Sequence, residues 1–498
     1  MTNSTPTAGQ KAGFAYWTGR VLEEHSNAAG ALPAEPIHHL RVSLRRCIVI
    51  AQEMRGLDPA CDWKGMRKAA RCLFQRLGAL RDSQALTERV EKLAVPGEAS
   101  TAALLGVLNR RHEQDRMDAR AALREFDRKE WRAWRRDFSK SYLRVARDRA
   151  TCESLVLEIL EEVQALNRRA QRSGSPAAYH RLRVALKKFR YTVENFLPAL
   201  YPVWESDLKA LQDLLGEIHD LTVLDEVIIK DQELFGETAA GAWRAKIEEQ
   251  RASWLAEYRE KTAGKISPLR MWRDSLPGEN DLRAAGLARL GTWASFVSPD
   301  MLRVRRIARI ALHLYDGLAN SKLMDAEPHF DERSVLHAAA LLQDAGRFKK
   351  ARAWHKESFR MIRKLAPPPG WSKKDLEFAA VIARFHRRAL PYPDRPALTA
   401  YELPLRQALI RLAAILRLAN ALNAKPYRAL RRLQIENGPE YVAVHAEGFR
   451  EGEPLHARLA VALGFLEFAL QRSVRILPPG ARPMLPQIVR PDAQSDAA

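Results

Sequence analysis

Apolar residues recur at every third or fourth position over most of the chain, few glycines interrupt those runs, and prolines fall in the gaps between them. That period is helical. It predicts three helical segments over residues 14–89, broken at 30–36 and near 57–62, then a turn at 95–100. A very polar helical stretch follows at 108–149. The next helix, 153–171, ends at Ser173-Gly174-Ser175-Pro176, a strong stop signal. Helices resume at 177–196, 204–234 and 242–261. Residues 275–286, with Pro277-Gly278 and mixed charges, have the look of an interdomain linker, which we extend to 298. Beyond it the pattern predicts helices at 299–318, 332–344, 354–365, 373–388 and 403–422. Short alternating runs around Asn437-Gly438 predict a small hairpin over 431–447. One apolar helix at 454–472 precedes a Pro-rich tail from 478. Residues 1–11 read as a loose tail and 486–498 as disordered.

The expected fold is therefore mainly α: two helical-bundle repeats (13–150 and 151–274), the linker (275–298), and a helical domain with a small β appendage (299–485). A chain of 498 residues with 46% hydrophobic content can bury two or three such cores.

Charge changes the picture. Lys and Arg number 81 against 60 Asp and Glu, a formal charge of +21 and a pI near 10.0. Such a surplus points to a polyanionic partner: nucleic acid, an anionic membrane face or polyphosphate. The blander alternative is a chain of solvated arginines, so placement must decide. Cys47, Cys61, Cys72 and Cys152 form no CxxC pair or disulfide framework, which fits reduced thiols in a cytosolic protein. No apolar run approaches the ~20 residues of a membrane span, and no secretory leader precedes residue 10. A cytoplasmic protein without membrane contact is expected.

The first half repeats itself. Residues 38–46 read HHLRVSLRR and residues 180–188 read HRLRVALKK, 142 positions on. Downstream, LGALRD at 77–82 recurs as LGEIHD at 215–220, an offset of 138. Two motifs in the same order at nearly the same spacing mark a duplicated unit. On a helix, His38, Arg41 and Arg45 share one face, as do His180, Arg183, Lys187 and Arg190. Lys64, Arg67, Lys68 and Arg71 form a similar row on the next helix. Leu40, Leu44 and Cys47, and likewise Leu182, Leu186 and Phe189, make the opposite, core-facing side. A row of cations on one face repels itself unless anions are supplied. Acids are scarce on the stripe, so a ligand is favoured over a solvated face with salt bridges. The histidines lack Cys, Asp or Glu at ligand spacing, which argues against a metal site.

These motifs resemble the conserved histidine α-helical domain, CHAD, over about residues 13–270. The resemblance implies two bundles related by pseudo-twofold symmetry whose basic helices line a cationic groove for inorganic polyphosphate. By position it makes His38, Arg41, Arg45, Arg46, Arg81, His180, Arg183, Lys187, Lys188, Arg190 and His219 phosphate contacts. Ile48 stands where the second repeat has Arg190. His219 replaces the expected arginine, which makes that contact a candidate for pH sensitivity.

A second resemblance covers about 300–485. ALLQDAG at 340–346, WHKES at 354–358, IARFHRRALP at 382–391 and RLAAILRLANALN at 411–423 are similar to the C-terminal helical domain of the exopolyphosphatase and guanosine pentaphosphate phosphohydrolase family, itself related to HD-type metal phosphohydrolases. An HD site needs His and Asp converging on divalent metal. Here Gln343 precedes a retained Asp344, Asn420 replaces the late aspartate, and the first histidine position falls near Arg303; His355 and His386 survive. No metal, cofactor or catalytic residue is therefore expected. Arg303, Arg305, Arg306, Lys349, Lys350, Arg387 and Arg388 become candidate phosphate-docking residues, and the domain a candidate dimerisation surface. The leading expectation is a non-enzymatic polyphosphate binder recruited to polyphosphate granules. A residual phosphohydrolase on polyphosphate or guanosine pentaphosphate is one alternative. A nucleic-acid binder is the other, disfavoured because no aromatics interleave the stripe cations.

Overall fold

The computed structural model describes residues 13–29, 32–93, 99–230, 237–324, 330–350, 352–424, 427, 431–450 and 455–481. It divides into two units: residues 1–296 with 368–370, and residues 297–367 with 371–498. The predicted loose N-terminal tail and disordered C-terminal tail lie outside the described residues, as does the turn predicted at 95–100 up to residue 98; 99–100 already belong to a helix. Among those described, no helix is long and apolar enough to cross a membrane.

The first unit contains the duplication in three dimensions. One set of helices runs α1 (Phe14–Ala28), α2 (Ala34–Leu57), α3 (Trp63–Leu93), α4 (Ala99–Arg124) and α5 (Arg128–Ala146). The second runs α6 (Arg149–Ser173), α7 (Pro176–Phe196), α8 (Tyr201–Lys230), α9 (Glu237–Thr262) and α10 (Pro268–Asp274). In each set the first three helices pack on their successors, and the fifth returns to the first. The cores correspond as well. Phe14, Trp63 and Phe138 stack together in the first set, and Phe189, Trp204 and Trp272 in the second. Each such buried side chain contributes on the order of 1.5–3 kcal/mol.

The stop signal acts as its chemistry requires. Gly174 takes φ 64° after α6, and Ser175 caps α7 ahead of Pro176. The polar stretch 108–149 is not one helix. Asp127 accepts from the backbone N–H of Lys129 and Glu130 and starts α5 afresh, and Trp131, Trp134, Phe138, Tyr142 and Val145 bury one stripe of it.

The linker expected at 275–298 is corrected. Helix α11 (Glu279–Val297) occupies most of it, with Leu290, Trp293 and Ala294 buried. Thr292 Oγ1 donates to Asp148 Oδ2 at 2.7 Å, and Arg289 pairs with Glu158 at 2.5 Å, so the helix is sewn to α6 and its cap. Pro277-Gly278 punctuates two helices; it does not separate two domains.

The second unit packs α12 (Met301–Asn320) against α13 (Glu332–Leu342) and α16 (Leu403–Leu422), with α14 (Trp354–Arg363) and α15 (Lys373–Arg384) alongside. The predicted hairpin is present as β1 (Arg431–Asn437) and β2 (Tyr441–Glu447), antiparallel, with Gly438 N–H donating to Tyr441 O. A strand the pattern did not predict, β3 (Ser473–Leu477), pairs parallel to β2 after α17 (Ala457–Leu470) and completes the order β1-β2-β3. Gly317 on α12 is required by packing: a Cβ there would lie 2.5 Å from Ile435.

Candidate anion-binding sites

In the first unit α2 packs against α7, so the two basic stripes face one cleft of about 690 Å³. It is lined by His38, Arg45 and Arg46 of the first repeat and by Arg183, Lys187 and Arg190 of the second. Arg41 lies beneath, 9% exposed, with its guanidinium 4.8 Å from the centre of the Phe74 ring; Arg45 sits 4.9 Å from the same ring. The glycine of the LGALRD motif explains itself here, because a Cβ on Gly78 would come within 2.9 Å of Arg41 Nη1. Arg190 is held by Tyr201, whose hydroxyl accepts from Nε and Nη2 at 3.1 and 2.9 Å, and by Gln212 at 3.0 Å.

The strongest electrostatic mark falls on Lys187. Burial pushes its pKa down to about 6, the Arg45, Arg183 and Arg41 guanidiniums push the same way, and Asp220 opposes them. His180 and His219 touch through their Nδ1 atoms at 3.3 Å. Burial, then Arg183, His180 and Lys187, hold His219 down at about 4. The titration that falls near neutral pH therefore belongs to Lys187, not to His219.

Other predicted contacts are placed differently. Arg46 donates from Nε to both Glu194 oxygens at 2.9 Å and lies over Trp17 and Tyr191. Lys188 pairs with Glu53 at 3.5 Å and with Glu162 at 3.6 Å. Each of these two cations thus crosses to an acid of the opposite repeat and braces the seam; Arg46 lines the cleft as well, and Lys188 does not. Lys64, Arg67, Lys68 and Arg71 do not line the cleft; Arg67 reaches Gln52 at 3.3 Å, while the other three are exposed. The side chain of Arg81 lies outside the described residues. Sequence reasoning also missed the acids that α8 brings to the cleft, Asp213, Glu217 and Asp220. Of these, Glu217 and Asp220 both fall in the LGEIHD motif and Asp220 alone has a matching acid, Asp82, in the first repeat; their register relative to the stripe could not be read without the helix packing.

In the second unit the positions of the metal set gather, in altered form. Arg303 Nη1 lies 2.5 Å from Asp344 Oδ2, and Nη2 lies 3.4 Å from Asn420 Oδ1. Asn420 Nδ2 donates to Gln343 Oε1 at 2.7 Å, and Trp354 Nε1 to Asp344 Oδ1 at 3.2 Å. His386 is buried, hydrogen-bonded to Ala383 O at 2.7 Å, and burial holds its pKa down at about 4. Burial and the nearby Arg384 do the same to His355. A divalent ion does not fit this donor set. Both oxygens of its carboxylate are taken, and a guanidinium, which has no lone pair to offer, occupies the place of a cation. Among the described residues no group of three or more His, Cys, Asp or Glu is arranged to hold a metal.

A duplicated helical domain with a cationic cleft, followed by a helical domain in which Arg303 joins Asp344 and Asn420, is the class these observations define. Residues 19–228 match the CHAD domain, and residues 294–445 match Ppx/GppA phosphatase, domain III. The chain carries both domains in that order. The first domain type is linked to polyphosphate binding. No curated protein matches the chain significantly.

Proposed function

We propose that the first-unit cleft binds inorganic polyphosphate and that this binding recruits the protein to polyphosphate granules in the cytoplasm. The observation that carries the reading is the convergence of Arg45 from one repeat with Arg183 and Lys187 from the other in one cleft, where burial first and the neighbouring guanidiniums second disfavour the charge on the lysine. A chain of phosphates relieves that repulsion through charge-assisted hydrogen bonds and releases its own counterions. Nucleic acid would want a stacking surface. The aromatic that lines the cleft, Tyr191, is already covered by Arg46 at 4.8 Å. A hydrolytic role for the second unit is disfavoured by its donor set, and we propose binding without turnover.

The test is competition binding of long-chain polyphosphate against RNA and duplex DNA at physiological salt. It is run on the full chain and on a variant with Arg41, Arg45, Arg183 and Lys187 all changed to Ala. Polyphosphate should win, its affinity should fall steeply with salt, and the variant should lose binding while keeping its helical circular dichroism. Wild-type affinity in the variant would overturn the cleft reading. A fluorescent fusion that ignores polyphosphate granules in cells would overturn the recruitment.

A further inference from the structure

Helix α5 is the basic stretch that the cleft does not use. It packs on α1 and α6, and none of its side chains lines the cleft of the first unit. Trp131, Trp134, Phe138, Tyr142 and Val145 bury one stripe of it. The helical period places Lys129, Arg132, Arg136, Lys140, Arg144 and Arg147 on the opposite stripe, all exposed. Steps of three or four residues make this one straight row, about 27 Å from end to end at a rise of about 1.5 Å per residue. The two acids of the helix, Glu130 and Asp137, fall on one flank of the row, and Asp137 holds Arg136 at 2.8 Å. Arg144 donates to Ser295 O at 3.1 Å and lies over the Phe296 ring. The side chains of Lys129, Arg132, Lys140 and Arg147 have no partner among the described residues.

The duplication shows that the fold does not need this row. The counterpart of α5 in the second repeat is α10, seven residues long. Its Trp272 packs against Phe189 and Trp204 as Phe138 packs against Phe14 and Trp63. Helix α5 spends 19 residues on the same task, and its surplus is the cationic face. Like charges at this spacing destabilise a helix, a cost that a polyanionic partner removes. The outer face of a helix has no walls to enclose a flexible chain, so the row suits a partner that is itself stiff and densely charged. A nucleic-acid duplex carries one charge per about 1.7 Å of its axis and needs no stacking platform. A single strand does need one, and all four aromatics of α5 are turned into the core. A membrane surface calls for apolar side chains beside the cations, and the row has a single exposed one, Leu143.

We propose that the outer face of α5 docks on the phosphate backbone of duplex nucleic acid, independently of base sequence. The row supplies charge-assisted hydrogen bonds to successive phosphates, and the counterions they release drive association. The lack of a stacking surface in the cleft bears on single strands there and leaves this face untouched. The inference goes beyond the polyphosphate reading and does not depend on it.

Fluorescence anisotropy of the full chain with a short mixed-sequence DNA duplex tests it. The logarithm of affinity should fall with the logarithm of salt at a slope of about −0.9 per phosphate neutralised. Lys129→Gln, Arg132→Gln, Lys140→Gln and Arg147→Gln together leave a good helix former at four exposed positions. That variant should shrink the slope by about 3 to 4 and lower affinity at least tenfold at about 0.1 M salt. The exchange Lys129→Arg, Arg132→Lys, Lys140→Arg, Arg147→Lys keeps the charge and should keep the affinity. The cleft variant, with Arg41, Arg45, Arg183 and Lys187 changed to Ala, should also keep duplex binding, while the Gln variant keeps tripolyphosphate binding. Failure of the cleft and failure of this face therefore read differently. Wild-type duplex affinity or an unchanged slope in the Gln variant would overturn the proposal, and so would loss of affinity in the charge-keeping exchange. Tighter binding of a single strand, or of phosphatidylserine vesicles, than of the duplex would overturn the partner.

Discussion

At pH 7 a lysine with a pKa of about 6 is protonated about one-tenth of the time. In the proposed complex a phosphate oxygen beside Lys187 restores the charged form, so binding at neutral pH takes up roughly 0.9 of a proton. The sign follows directly. The complex binds more protons than the free protein, so affinity rises as pH falls from 8 towards 6 and levels off below it, by about tenfold per pH unit on the steep limb. Calorimetry in two buffers of different ionisation enthalpy measures the uptake, and the same titrations from pH 6 to 8 measure the slope. Lys187→Met should abolish both. Lys187→Arg, charged throughout this range, should bind without a pH slope. The free protein supplies a second check. Between about pH 6 and 10 the unfolded chain holds the Lys187 proton that the folded chain gives up, so this residue makes stability rise with pH there. The difference in Tm between wild type and Lys187→Met isolates that contribution. Proton uptake near zero and a flat affinity, in a protein whose binding still needs Lys187, would refute the reasoning.

Further outcomes are expected from single positions. Gly78→Ala puts a methyl 2.9 Å from Arg41 Nη1, the mobile end of that side chain; urea titration should show little loss of stability, while polyphosphate affinity falls several-fold. Gly216→Ala, which meets nothing within 4 Å, should instead stabilise α8 by about 0.5–1 kcal/mol. Arg46→Ala leaves Glu194 buried without its partner and should cost about 3 kcal/mol in chemical denaturation, far out of proportion to any change in affinity. Asp344→Ala strands Arg303 at a similar cost, about 3 kcal/mol. Neither wild type nor this variant should release phosphate from polyphosphate with Mg, Mn or Zn, and metal-dependent turnover that vanished with Asp344 would show the set to be catalytic after all.

Most helices were legible because their signals are local. Ser175-Pro176 after Gly174 and Asn437-Gly438 between alternating runs each act on residues within a turn of themselves, whereas the caps at Asp127 and Asp148 are hidden because the polar stretch 108–149 keeps a helical period through them. The errors came where a local signal has two meanings. Pro277-Gly278 breaks a helix equally well inside a domain or between domains, and only Thr292 reaching Asp148, 144 positions away, decides for the former. Strand β3 is five residues long, and its partner β2 lies beyond a whole helix, so no hairpin turn announces it.

The site shows the same division more sharply. Duplication revealed which positions matter, because a repeat compares the chain with itself, but it treated matched positions as doing matched work. Arg41 and Arg183 have the same place in their motifs; Gly78 makes room for one guanidinium, while Gly216 faces open space. Arg45 and Lys187 correspond too, yet one lies over the Phe74 ring and the other sinks among arginines until its charge is disfavoured. The acids that decide the outcome are the least visible in a stripe. Glu53 sits seven positions past Arg46 and Glu194 six past Lys188, where a helical wheel assigns them no clear partner. Each answers the cation of the other repeat, Arg46 and Lys188. One pair of matched cations thus closes the seam, and Arg45, Arg183 and Lys187 crowd the cleft beside it. Charge count alone could not separate these two fates; the geometry of α2 against α7 does.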